Sequence, residues 1–166
     1  MATSRRPKAK PEVRYRLRIE LAEITPLIWR EVWVEGHLHL LQLHHIIQAA
    51  MGWTDAHLHD FTIGGVRYAV PHEEDPEDLP QVDERTIRLD RILEPGLTFE
   101  YQYDFGDSWI HIVRVEQSKK MEHPYGAAFV QAGARAGPPE DAGGSSGYQA
   151  FLDRGHLLRS GSEVKY

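Results

Sequence analysis

The stretch 97–116 constrains this chain more than any other. Leu97, Phe99, Tyr101 and Tyr103 alternate with Thr98, Glu100 and Gln102, which is the period of a strand with one buried face. YDFGDSW follows at 103–109, where Gly106 suits a positive φ and Asp104 and Asp107 can accept hydrogen bonds from turn amides. The chain then returns through WIHIVRVE at 109–116. Ile110 and Ile112 face opposite to Trp109, His111 and Val113, so both faces are apolar near the turn. That pattern predicts a β-hairpin whose return strand is central and covered.

The rest is read around this hairpin. Tyr15, Leu17, Ile19 and Leu21 alternate with Arg14, Arg16, Arg18 and Glu20, a strand with one wet face. Thr25-Pro26 breaks it, and IWREVWVE at 28–35 is rich enough in branched and aromatic residues for a second, antiparallel strand. From Leu40 the spacing changes to threes and fours, through Leu43, Ile46, Ile47 and Ala50. A helix is predicted over 40–51, with Gly52 as its stop. Gly64-Gly65 joins 58–63 to 66–70 as a second hairpin. The expected fold class is α+β, a roll-like and mainly antiparallel sheet. It has a strand-strand-helix start and two hairpins, packed on one principal helix.

The expected organisation is one soluble domain over 13–152. It is preceded by a disordered basic tail at 1–12 that contains Arg5, Arg6, Lys8 and Lys10. A basic arm on nucleic acid is the other reading of that tail, and Arg14, Arg16 and Arg18 could extend it across a strand face. A net charge of −6 disfavours a surface built to neutralise many phosphates. The chain has no cysteine, which removes disulfides and thiolate zinc sites. No apolar run is long enough for a membrane helix and residues 1–12 lack a signal-peptide core, so no membrane partner is expected and a cytoplasmic setting is the default. The segment 72–84, with seven acids and two prolines, reads as a solvated loop; it lacks the ligand spacing and glycine of a calcium loop.

Three groups of residues could carry chemistry. Ten histidines include the close pairs His37/His39, His44/His45 and His57/His59. Two imidazoles at i and i+2 on a strand can share a divalent metal, for which His57, His59, Asp104, Asp107 and His111 are the candidate ligands. No motif such as HExxH is present, and scattered structural histidines are the simpler reading. At the hairpin turn, Tyr103, Asp104, Phe105, Asp107 and Trp109 could line a pocket or a partner surface, or Asp104 and Asp107 could simply bond their own backbone. PPEDAGG at 138–144 places Glu140 and Asp141 in a Pro/Gly-stiffened loop, read as folded back over the domain or as a lid on the hairpin. No cofactor is expected beyond such a metal, and the partner would be an unknown protein or small ligand.

PLIWREVWV, LHHIIQAAMGWTDAHLHDFTI, YQYDFGDSWIHIVRVE and GPPEDAGGSSGY, together spanning 26–148, resemble the plasmid Ri-A4b ORF-three-like family. This is a domain of unknown function, of the MM-type, IS-element-like kind. The resemblance implies an α+β roll with strands enclosing a helix. Some members are labelled transposon resolvases. The residues here do not fit that chemistry, because the early Ser4 lies in the tail and no tyrosine is framed by an Arg/His set. Many members carry cysteines in the PPED segment, where this chain has Gly137 and Ala142. Members also continue past GGxxGY differently, so 153–166 is read as an atypical, truncated C-terminal tail. The preferred function is a non-catalytic binding or interaction module. The alternatives are a metal-dependent hydrolase-like or nucleic-acid-processing enzyme, and nucleic-acid binding through the tail and the Arg14/Arg16/Arg18 face.

Overall fold

The computed structural model describes residues 12–123 and 126–162, the last seven by backbone alone. The predicted tail therefore lies outside the described residues, apart from Glu12. The order of elements is β1 (Val13–Leu21), β2 (Trp29–Glu35), α1 (Leu40–Met51), β3 (His59–Ile63), β4 (Val66–Ala69) and β5 (Val82–Asp83). A 3-10 turn (Glu84–Thr86) follows, then α2 (Leu89–Ile92), β6 (Thr98–Tyr103), β7 (Trp109–Lys120), β8 (Ala128–Ala134) and α3 (Gly144–Ser162). The fold is α+β. Eight strands form one sheet in the order β5-β4-β3-β6-β7-β1-β2-β8, antiparallel except where β4 meets β5.

The alternation of β1 is satisfied as its pattern demands. Tyr15, Leu17, Ile19 and Leu21 are buried, and the arginines lie on the other face. There Arg14 sits over the Trp33 ring at 4.6 Å and Arg18 over Trp29 at 4.3 Å. Arg16 pairs with Glu31 at 3.8 Å and Arg18 with Glu20 at 2.7 Å. Cation–π contacts and local ion pairs thus occupy a face that could otherwise be read as an anion seat.

Helix α1 has the predicted bounds. Gln42 accepts from the His39 amide at 2.9 Å at its start, and Gly52 at φ 79° ends it in the left-handed region. Its inner face holds Leu40, Leu43, Ile47 and Met51, but also the polar side chains of His44 and Gln48. Strand β7 pairs with β6 on one side and β1 on the other, which makes it the central strand that its two-faced apolar pattern predicts. Trp109, His111 and Val113 point into the core, where Trp109 is 1 % exposed.

Three elements differ from expectation. Residues 85–92, where a short strand or a turn is expected, hold the end of the 3-10 turn, an isolated bridge from Arg88 to His39, and α2. Strand β8 pairs with β2 at the sheet edge, in a region without alternation. Helix α3 runs 19 residues, into the segment 153–166 read as an atypical tail. It is fastened to the β1–β2 connection by Gln149, which accepts from the Thr25 amide at 2.8 Å and donates to the Thr25 carbonyl at 2.9 Å.

Candidate functional site

The β6–β7 turn is organised by one side chain. Asp104 adopts φ 61°, and its Oδ1 accepts from the amides of Gly106 at 3.0 Å and Asp107 at 3.2 Å. The Asx reading therefore holds for Asp104. It does not hold for Asp107, whose Oδ2 is buried without a hydrogen-bond partner. Asp104 is itself only 7 % exposed, and its second oxygen faces His57 Nε2 at 3.5 Å.

The loop between β8 and α3 closes over this turn. Trp53 Nε1 donates to the Pro138 carbonyl at 2.8 Å. Glu140 Oε1 accepts from the Thr54 amide at 3.0 Å and from the Tyr103 hydroxyl at 2.8 Å. The Tyr103 oxygen accepts in turn from the Ala56 amide at 3.0 Å. The Thr54 amide, more than the Tyr103 hydroxyl, holds the Glu140 carboxyl below its ordinary range. Burial, helped by Glu140, pushes the Tyr103 phenol up. Asp141, at φ 57°, reaches His57 Nε2 at 3.0 Å. Glycine is required at both ends of the loop. A Cβ on Gly137 would stand 2.0 Å from the Met51 carbonyl oxygen, and one on Gly144 2.3 Å from that of Asp107. Position 137 thus has no room for the cysteine side chain that the family resemblance suggests there.

Beneath this junction runs a closed polar circuit. Asp55 accepts from His44 Nε2 at 2.7 Å, and His44 Nδ1 accepts from the Tyr101 hydroxyl at 2.7 Å. Tyr101 accepts from Gln48 Nε2 at 3.0 Å, and Gln48 Oε1 accepts from the Asp55 amide at 2.8 Å. This assignment needs a neutral His44. Burial, and then the neighbouring His59, push its pKa down to about 4. Every buried member has its partners, which is the condition under which such a network is tolerated in a core. His59 stacks on His44 and meets the fully buried Glu84 carboxylate at 2.6 Å.

An open cleft of about 680 Å³ lies against these elements, with His45, His57, His59, His72, Asp55 and Arg85 in its wall. Leu41, Leu58 and Val70 supply apolar surface, and Leu58 is 54 % exposed.

The candidate residues separate into distinct places. His57, Asp104 and Asp141 come together, with their ligand atoms within 4.8 Å of one another. His59 joins His44, Asp55 and Glu84 instead. His111 is fully buried, its Nδ1 donating to the Trp109 carbonyl at 3.0 Å, and burial lowers its pKa to about 4. It does not face the turn carboxylates. Tyr103 and Trp109, candidates for a binding surface, are core residues, whereas Phe105 is 41 % exposed beside Arg67. His44, Gln48, Asp55, Glu84 and Tyr101 escaped notice as a group. The available signal was His44 and Gln48, four apart on the otherwise apolar stripe of α1.

Comparison with known proteins places this chain in a family. The chain is 37% identical over 139 residues to "Uncharacterized protein y4hQ" of Sinorhizobium fredii, covering 83% of this chain and 71% of that one. It is similar to the crystal structure of a protein of unknown function, MM3350, from Methanosarcina mazei Go1. The TM-score is 0.76 at 33% identity, over 87% of this chain and 82% of that one. Residues 13–156 match the family described as plasmid pRiA4b ORF-3-like protein, and the chain belongs to that family.

Proposed function

We propose that the domain is a non-catalytic binding module that seats a small anionic ligand, a carboxylate or a phosphate, in the histidine-rich cleft. The observation that carries this reading is the cleft itself, where Leu41, Leu58 and Val70 stand beside four imidazoles and the Arg85 guanidinium. Its imidazoles and the Arg85 guanidinium supply donors. Arg85 is oriented by Asp83 through Nε at 2.9 Å and Nη2 at 2.7 Å, which leaves Nη1 to reach a ligand. The carboxylate in the wall, Asp55, already accepts from His44. The same reading takes the sheet as a roll around α1, whose buried side chains share one core with β1, β3, β6 and β7.

The enzyme alternative needs His57, His59, Asp104, Asp107 and His111 around one substrate, and their separation gives it no support. The arginine face is engaged by Trp29, Trp33, Glu20 and Glu31, which favours a solubilising role over nucleic-acid binding.

Titration of metal-free protein with inorganic phosphate, and separately with succinate, followed through the imidazole NMR signals, tests the proposal. Saturable shifts at His45, His57 and His72 are expected, with Arg85→Ala weakening binding by about tenfold or more, the size of one charge-assisted hydrogen bond. Absence of saturable shifts with either anion overturns it.

A further inference from the structure

His57 Nε2 sits 3.0 Å from Asp141 Oδ1 and 3.5 Å from Asp104 Oδ2, yet it is a buried atom that makes no hydrogen bond to either. The distances are those of a contact, but the N–H direction is not that of a donor. Such spacing has another explanation. Ligands about 2.0–2.1 Å from a tetrahedral zinc ion stand about 3.3–3.4 Å from one another, the edge of the tetrahedron. Both separations lie close to that edge.

Charge points the same way. Asp104, Asp107, Glu140 and Asp141 converge on the junction. Among the described residues, the ion pairs made by these four carboxylates are with His57 alone. Asp104 is more than nine-tenths buried, and Oδ1 is committed to the turn amides, so Oδ2 is the oxygen turned toward His57. A buried carboxylate with one oxygen left without a hydrogen bond is costly, and a cation beside Oδ2 removes the cost.

The other histidine cluster lacks this geometry. His44 and His59 are stacked within 7° of parallel, so their lone pairs do not converge on one point, and both His44 nitrogens are already in hydrogen bonds.

We propose that His57 Nε2, Asp104 Oδ2 and Asp141 Oδ1 bind one divalent transition-metal ion, with Zn²⁺ or Mn²⁺ as the fitting class. One imidazole and two carboxylates make a borderline-to-hard donor set. Asp141 is 74 % exposed, so the remaining coordination positions open outward, beside the cleft. The ion would tie together three segments: residues 53–59, the β6–β7 turn and the loop ahead of α3. His57 belongs to both seats, so the inference deepens the cleft reading by giving its anion a metal to bind beside.

The test uses the full chain without a histidine tag, stripped with EDTA and titrated with ZnCl₂ and MnCl₂ by calorimetry. One ion per chain is expected with at least one of them. Saturating metal should raise Tm by roughly 5–10 °C, the shift that follows from a concentration about a hundredfold above Kd. Asp141→Asn changes an exposed side chain and should leave the metal-free Tm within about 1 °C while weakening binding about a hundredfold; His57→Gln should do the same to binding. With ¹⁵N-labelled protein, Mn²⁺ should show electron–nuclear coupling to one imidazole nitrogen. Less than about a tenth of an equivalent of either metal overturns the proposal. So does metal binding that both variants retain, since the ion would then sit elsewhere. Phosphate or succinate binding by metal-free protein that takes up no metal would leave the cleft reading standing and remove this one. Metal uptake without anion binding would do the reverse.

Discussion

The imidazoles of His44 and His59 lie face to face, with centroids 3.4 Å apart and planes 7° from parallel. Two cations cannot share that spacing in a core, so at most one ring carries charge. Their polar contacts differ. His44 stands neutral between Asp55 and Tyr101, and His59 has the buried carboxylate of Glu84. The stack therefore joins the closed hydrogen-bonded circuit to the His59–Glu84 contact, beside the wall of the cleft.

Acid should weaken the fold through two of these rings. His44 and His111 each have a folded pKa near 4 against about 6.5 unfolded. Between those values the unfolded chain binds protons that the folded chain does not, so stability is lost as pH falls through that window. The loss is on the order of 3 kcal/mol per ring by pH 4. Urea unfolding from pH 7.5 down to 4 should show it, and His111→Leu should remove about half of the slope.

Tyr101→Phe removes one hydroxyl from the closed circuit. His44 Nδ1 loses its donor and Gln48 its acceptor, both inside the core. The expected destabilisation is about 1–3 kcal/mol, more than the loss of a solvent-exposed hydroxyl. Urea midpoints at pH 7.5 measure it, and in a His44→Leu background the same change should cost much less.

Gly137→Ala and Gly144→Ala should each lift the loop ahead of α3 from the domain. The added methyl would overlap the Met51 or Asp107 carbonyl, both of which are backbone and cannot step aside. Gly144 adds the strain of φ 71°. Faster proteolysis within 135–144 and faster amide exchange at Thr54, whose partner is Glu140, are the readouts.

Phe105→Ala and Trp109→Ala, two residues of the same turn motif, should behave oppositely. Phe105 is 41 % exposed, and its loss should change stability by no more than about 0.5 kcal/mol. Trp109 is buried between Trp53 and Tyr148, and its loss should cost about 3–5 kcal/mol. Thermal unfolding separates the two, and makes Phe105→Ala the variant suited to binding assays.

Much of the fold was legible because its signals are local. Alternation marked β1 and β6, the change of period and Gly52 marked α1, and Gly64-Gly65 marked the β3–β4 hairpin. β8 was not legible, since AFVQAGA at the sheet edge has exposed residues on both faces and so no alternation. α3 was hidden for a related reason, its described side chains being half-buried or exposed, with no apolar stripe. At the site, Asp104, His57 and Asp141 could each be named, but not joined, because the residues in contact lie far apart in sequence, the His57–Asp141 pair across about half of the chain. Glu84 is the sharpest case. It lies at the end of the acid-rich stretch 72–84, and only the tertiary contact with His59 shows that it is the buried one.

Thr54 and Glu140, joined by a hydrogen bond, are 86 residues apart. Closing so long a loop has a large entropic cost, which must be met by contacts already in place. The surface on which Glu140 lands is made by Thr54 and by Tyr103 at the end of β6. The junction is in effect a seal between two distant parts of the chain. A chain interrupted before residue 137 could complete much of its sheet and still lack a finished site, so the state of this loop reports whether folding has run to its end.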